Sequence, residues 1–248
     1  MAAVTPLLST RGLTRSFGGL VAVDHVDFDL DRGEIRAIIG PNGAGKTTFV
    51  GLICGRVEAG GGSVVFDGRD ITRMPAHGRV RAGIAYTFQI TSIFPRLTVF
   101  DNVALSVQRR LLSAGRPKAG ALKAGVGEAL ERVGLADRAG TLAGNLAYGH
   151  QRLVEIAMGL ALEPRLLILD EPTQGLSDGE VEGFIALVRE IARDATVLLI
   201  EHNMQVVMEL AQKITVFNFG RVLAEGSPDD IRANTAVQDA YLGTGSDG

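Results

Sequence analysis

Ile35-Arg36-Ala37-Ile38-Ile39-Gly40-Pro41-Asn42-Gly43-Ala44-Gly45-Lys46-Thr47-Thr48 is the segment on which the fold turns. Its first five residues are mostly apolar and read as a buried strand, and the next eight match G-x-x-x-x-G-K-[ST]. The glycines let successive backbone N–H groups point inward as an anion nest, and a helix starting near Lys46 adds its positive dipole end. Lys46 is placed to reach the β- and γ-phosphates of a nucleotide, and the Thr47 hydroxyl to ligate Mg²⁺. A glycine-rich turn can match the pattern by chance. A strand before it and a helix after it supply the context that makes it a phosphate site, without saying which nucleotide or reaction it serves.

Upstream, Val26, Phe28 and Leu30 alternate with Asp27, Asp29 and Asp31, a period of two that predicts an antiparallel strand with one wet face. Downstream, the chain reads as helical from Leu52 to the Gly60-Gly61-Gly62 turn. Val64-Val65-Phe66 followed by Asp67-Gly68 predicts another strand and a tight turn. Ile84 to Gln89 reads as a strand ending at a glutamine. From Leu97 to about Glu163 the pattern is helical, broken at Gly115-Arg116-Pro117 and Gly140. Leu166–Leu169 and Thr196–Ile200 are short apolar runs of the kind buried parallel strands give, separated by the amphipathic stretch Glu180–Arg193. Ile214–Phe217 and Arg221–Ala224 predict a hairpin across Asn218-Phe219-Gly220, and residues 243–248 a frayed tail. The layout is α/β, with a helical insertion between two halves of one parallel sheet and no internal repeat.

At 248 residues the chain fits one large domain or two interleaved ones. Apolar residues make up 46%, with no Trp, so the core is aliphatic. A net charge of −3 with 21% charged residues excludes a globally basic nucleic-acid binder and a self-repelling acidic chain. Cys54, the single cysteine, cannot form an internal disulfide and reads as a small core residue. The opening MAAVTPLLSTRG lacks the basic start and apolar run of a signal peptide, and no apolar run approaches the roughly 20 residues of a spanning helix. A cytosolic protein is expected.

Leu166-Leu167-Ile168-Leu169-Asp170-Glu171 is an apolar strand ending in two carboxylates. Beside the phosphate loop, Asp170 can hold Mg²⁺ directly or through water, and Glu171 is the natural general base for an attacking water.

Together these motifs resemble the ATP-binding subunit of an ABC transporter. The resemblance implies a P-loop NTPase (RecA-like) core with a mostly parallel sheet, an N-terminal antiparallel β subdomain and an inserted α-helical subdomain. Residues 1–88 and 164–242 would form the catalytic core and 89–163 the helical subdomain. Gln89 resembles the glutamine that ligates Mg²⁺ and senses the membrane partner. Leu146-Ala147-Tyr148-Gly149-His150-Gln151 sits where the L-S-G-G-Q signature sits, facing ATP bound by the other subunit of a dimer. His202 resembles the histidine that contacts the γ-phosphate, Gly175-Leu176-Ser177 the D-loop, and Phe17 the aromatic that stacks on adenine. The implied catalytic residues are therefore Glu171, His202, Gln89 and Lys46. The implied nucleotide cradle is Phe17 with Gly40 through Thr48, and the implied Mg²⁺ ligands are Thr47, Gln89 and Asp170.

Departures from the family pattern include Ala147 for the signature serine, His150 for its glutamine and Ser177 for the D-loop acid. Ala147 offers no hydroxyl to a phosphate, which leaves Gly149 and the following helix N-terminus to present N–H groups. Leu-Ala-Tyr-Gly and the ending Glu225-Gly226-Ser227-Pro228 … Tyr241-Leu242-Gly243 resemble importer subunits for branched-chain amino acids and related polar solutes. Such a subunit implies permease partners, a second cassette of the same or a related kind, and indirectly a solute-binding protein, with no nucleic acid. It would lie on the cytoplasmic face of the membrane. Ser92 to Asn102 looks similar in lipid or lipopolysaccharide exporters, which is the alternative within transport; a soluble ABC ATPase is the alternative outside it. Apolar residues from Ile93 to Phe100 mark either a permease-docking groove or packing of the insertion. Arg109, Arg110, Arg116, Lys118 and Lys123, with no acid from Asn102 to Gly127, read as a solvated basic loop or a contact to anionic headgroups. His25 and His77 read as surface residues.

Overall fold

The computed structural model describes residues 5–87, 92–115 and 118–242. The chain opens with β1 (Leu8–Phe17) and β2 (Leu20–Leu30), then β3 (Ile35–Ile39) and α1 (Lys46–Cys54). β4 (Gly61–Phe66), β5 (Arg69–Asp70), α2 (Ala76–Ala82) and β6 (Ile84–Thr87) complete the first half. Helices α3 (Val99–Ala114), α4 (Ala121–Arg132) and α5 (Tyr148–Leu160) follow. The second half runs β7 (Leu166–Asp170), α6 (Asp178–Ile191), β8 (Thr196–Ile200), α7 (Met204–Leu210), β9 (Lys213–Asn218) and β10 (Arg221–Gly226). It closes with α8 (Pro228–Ala233) and α9 (Thr235–Leu242).

Two sheets result. One is antiparallel, in the order β2-β1-β4-β5; the other runs β10-β9-β3-β8-β7-β6 and is parallel from β9 to β6. The expected wet-faced strand is β2, whose Val26, Phe28 and Leu30 are buried while Asp27 and Asp29 are exposed. β3, β7 and β8 are buried at every position because the parallel sheet is covered on both faces. Leu166, Ile168, Leu198 and Ile200 join the core that packs against α1 and the antiparallel sheet. Leu167, Leu169, Val197 and Leu199 point the other way, into the core shared with α3 to α6.

Turn chemistry fixes the hairpins. Asp67 and Gly68 both have positive φ (53° and 73°), as do Phe219 and Gly220 (46° and 77°), the pattern of two-residue hairpin loops matched to strand twist. One sequence expectation needs correction, and the structure adds features the sequence reading did not contain. The helix after the phosphate loop stops at Cys54, where Gly55 adopts a left-handed cap, rather than running to Gly60. β1 and α2 were not foreseen, since β1 carries Arg11 and Arg15 and α2 has the Pro75 and Gly83 punctuation of a loop. Arg36 is fully buried within β3, where Glu34, Glu225, Thr215 Oγ1 and the Asp29 carbonyl satisfy its guanidinium.

Cys54 is buried, and burial pushes its thiol up to about 12. His25 and His77 are exposed, as expected. Since the thiolate is the reacting form, the native chain should resist iodoacetamide at pH 8 and label fully in denaturant. Rapid labelling of the folded chain, followed by mass spectrometry, would contradict this packing. Among the described residues, no helix is long and apolar enough to cross a membrane.

Candidate functional site

The loops after β3, β8 and β7 lie side by side at one edge of the parallel sheet, because those strands are consecutive neighbours running in the same direction. The phosphate loop follows β3, His202 follows β8, and Asp170-Glu171 ends β7. Ligands of open parallel sheets gather at such carboxyl ends.

In the loop, Gly45 (φ 97°) precedes α1, and a Cβ there would overlap the Ala22 carbonyl oxygen of β2. Gly40 (φ 148°) is pressed against the Phe217 carbonyl in the same way. The Lys46 ammonium donates to the Gly40 and Pro41 carbonyls at 2.6 and 3.0 Å, folding its side chain back over its own loop. Burial pulls its pKa below the usual lysine value, and the Glu171 and Asp170 carboxylates oppose that shift. Thr47 is exposed beside it and Thr48 half-buried. Asn42 and Gly43 are exposed and Ala44 is buried, its carbonyl accepting from Gly220 N–H at 3.0 Å. Phe17 ends β1, is 47% exposed and has the Arg15 guanidinium 4.8 Å from its ring centroid. β2, which follows Phe17 across a short turn, passes close to the phosphate loop at Ala22.

Asp170 is 2% exposed and accepts from the Tyr86 hydroxyl at 2.6 Å. Burial raises its pKa, against the Tyr86 hydrogen bond that lowers it. A raised pKa means that this group favours folding most below the usual carboxylate range and loses that contribution as pH rises through its raised folded-state value. Asp170→Asn should therefore raise the unfolding temperature of the nucleotide-free chain at pH 7, by about 2–4 °C for each ~1 kcal/mol released. An unchanged or lowered midpoint in a thermal melt would refute that cost. Glu171 adopts a left-handed backbone (φ 46°), unusual for a side chain of its size, and its N–H donates to the Ile200 carbonyl at 2.9 Å.

At the signature position, Ala147 is the N-cap of α5 and no side chain caps that helix. Leu146 is buried, Tyr148 is 42% exposed with its ring against Gly175, and Gly149 is covered by the Glu180 carboxylate. His150 Nδ1 is buried without a hydrogen-bond partner among the described residues. Ser177, at the D-loop acid position, instead donates its N–H and hydroxyl to Glu180 at 2.9 and 2.7 Å, starting α6 with a capping box. Gln89 lies outside the described residues. Of the basic stretch, Arg110 pairs with Glu163, Lys118 and Lys123 are exposed, and Arg116 lies outside the described residues.

Three residues at the site were missed in the sequence. Tyr86 bonds Asp170. Arg152 is buried on α5, pairs with Glu155 and donates to the Asp170 and Glu171 carbonyls at 3.4 and 3.1 Å. Glu201 is buried one residue before His202. An Arg–Glu pair at i, i+3 inside an otherwise apolar helix was the available signal for Arg152; for Tyr86 and Glu201 there was none.

A family model described as ABC transporter matches residues 23–174, and one described as branched-chain amino acid ATP-binding cassette transporter matches residues 221–247. The chain belongs to the ABC transporter family, as one of its ATP-binding cassettes. It is 40% identical to the high-affinity branched-chain amino acid transport ATP-binding protein BraF of Pseudomonas aeruginosa, over 96% of this chain and 98% of that one. It is 39% identical, over the same shares, to LivG of Escherichia coli, which carries the same description. Among solved structures, a nucleotide-free ATP-binding cassette from an ABC transporter superposes with a TM-score of 0.85 at 27% identity, covering 95% of this chain and 98% of the other. An ATP-binding cassette in its ADP conformation gives 0.83 at 28% identity, covering 96% and 98%.

Proposed function

We propose that this chain is the ATP-hydrolysing subunit of a membrane importer for branched-chain amino acids or a related polar solute. The observation that carries the chemistry is the convergence of Lys46, Asp170 and Glu171 at one edge of the parallel sheet, close enough for both carboxylates to act on the lysine. The ending of the chain and its relatives' descriptions support the cargo class over lipid export.

In this reading, Phe17 stacks on adenine, and Gly40 through Gly45 wrap the phosphates, with Gly40, Asn42, Gly43, Ala44 and Gly45 offering backbone N–H groups and Pro41, which has none, shaping the turn. Lys46 leaves its two loop carbonyls to meet the β- and γ-phosphates, and Thr48 supports the loop. Thr47, Asp170 and Gln89 are the Mg²⁺ ligands. The hard oxygen donors Thr47 and Asp170, beside an anion nest, fit that ion. When bound, Mg²⁺ neutralises charge on the β- and γ-oxygens. Glu171 accepts a proton from the attacking water and His202 holds the γ-phosphate. Leu146, Ala147, Tyr148, Gly149 and His150 face the ATP of a second cassette, where the uncapped start of α5 offers N–H groups in place of the absent serine hydroxyl.

Residues 1–88 and 164–242 act as the catalytic body and 89–163 as the helical arm that meets the permeases. The assembly comprises two permeases, two cassettes and a solute-binding protein, with this chain peripheral on the inner membrane face. Affinity purification from native membranes tests the reading. Recovery with permeases and a solute-binding protein whose ligand is a branched-chain amino acid is the expected result. Recovery with lipid-export proteins, or from the soluble fraction alone, would overturn the cargo assignment or the coupling.

A further inference from the structure

Glu201 follows β8 and is 1% exposed, immediately before His202. Its Oε1 accepts the Thr173 N–H at 3.0 Å together with the Thr173 hydroxyl. Its Oε2 accepts the N–H groups of His202 and Asn203 at 2.9 and 3.0 Å. Four neutral donors thus satisfy a buried carboxylate, two on each oxygen, which offsets the cost of taking the charge out of water. An amide cannot do the same, because its NH₂ end would face the Thr173 N–H on one side or the His202 and Asn203 N–H groups on the other.

The two sides belong to different loops. Thr173 lies two residues after Glu171, and His202 and Asn203 open the turn into α7, where Asn203 in turn caps the helix by accepting from Gln205 N–H at 3.1 Å. Glu171 holds a left-handed backbone that persists only when its surroundings over-determine it, and among its anchors are the Ile200 carbonyl, which its N–H meets, and the Arg152 guanidinium, which meets its carbonyl.

We infer that Glu201 is a positioning residue that clamps the loop carrying Glu171 to the loop carrying His202, setting the relation between the base and the γ-phosphate contact. The inference rests on the roles given above to those two residues. The donors that meet the Glu201 carboxylate come from the two loops, and it acts through them.

The test is Glu201→Gln in the full-length chain, assayed by release of labelled phosphate and by ATP titration, in the parent and in a His202→Ala background. The expected result is a fall in kcat of at least about tenfold with KM for ATP held within about threefold, since orientation is lost and the phosphate loop is not. In the His202→Ala background the further loss should be about twofold or less, because residues acting as a unit are not additive. Thr173→Val, which removes one donor and keeps the shape, should move kcat in the same direction by a smaller factor. It decides the matter by the same comparison if Glu201→Gln does not fold. Parental kcat in the variant, or the same fractional loss in both backgrounds, would overturn the clamp, the latter being what a merely structural role gives. Parental turnover in His202→Ala alone would instead remove the role assigned to that histidine.

Discussion

Glu171→Gln is expected to lower ATP turnover by at least about a hundredfold while leaving ATP affinity close to that of the parent, the loss typical of a missing general base. The amide has the shape of the carboxylate but no basic lone pair of the needed strength at neutral pH. Binding should survive because, in the proposed reading, the nucleotide is held by backbone N–H groups of the phosphate loop and by Lys46, none of which the substitution touches. Loss of one carboxylate beside Lys46 also leaves Asp170 to oppose the effect of burial on that ammonium. With hydrolysis blocked, ATP and Mg²⁺ should trap a closed dimer that elutes early in gel filtration and falls apart when ATP is removed. Turnover within tenfold of the parent would transfer the base role to another group.

Gly45→Ala should abolish detectable ATP binding and destabilise the chain by roughly 2–4 kcal/mol, the range of strained backbone combined with overpacking. Two independent faults meet at this residue. Its φ of 97° is one that side chains rarely adopt, and the added carbon would overlap the Ala22 carbonyl with Gly220 Cα 3.2 Å away. Relief requires moving the loop off β2 and the β9–β10 turn, which opens the nest that the phosphates need. Gly43→Ala is the control: its φ is 78°, but no atom lies within 4 Å of the added carbon. That variant should lose only about 1 kcal/mol of stability, the cost of the left-handed backbone alone. Chemical denaturation and calorimetric ATP titration of both variants check the contrast. Equal behaviour would mean that φ, and not the close approach, rules this loop.

What the sequence made legible were the features with local signatures. The phosphate loop, the acid pair closing β7 and the alternating face of β2 were each readable within a dozen residues, and each stands where expected. β1 was not, because its pairing with β2 and β4 buries Leu8 and Leu13 by long-range contact while Arg11 stays exposed and Arg15 half-buried. The same limit governs the site. Lys46, Glu171 and His202 carry motif context, whereas Tyr86, Arg152 and Glu201 matter only through what they touch across the sheet. No spacing rule shows that Glu201 meets Thr173, since the intervening segment holds a whole helix and strand. The D-loop position shows the converse: Ser177 departs from the family acid, and its hydroxyl and N–H are engaged by Glu180 to begin α6.

The place of β3 in the sheet bears on how the molecule is made. This strand delivers the phosphate loop, yet both of its hydrogen-bonding neighbours come from the far end of the chain: Ile35 pairs with Val197 and Arg36 with Lys213. On a ribosome adding roughly 5–20 residues per second, the strand waits on the order of ten to thirty seconds for its partners to be synthesised. Throughout that interval an apolar segment and a glycine loop have no sheet to join and need shielding from other nascent chains. The capacity to bind nucleotide is therefore among the last properties that the growing polypeptide acquires.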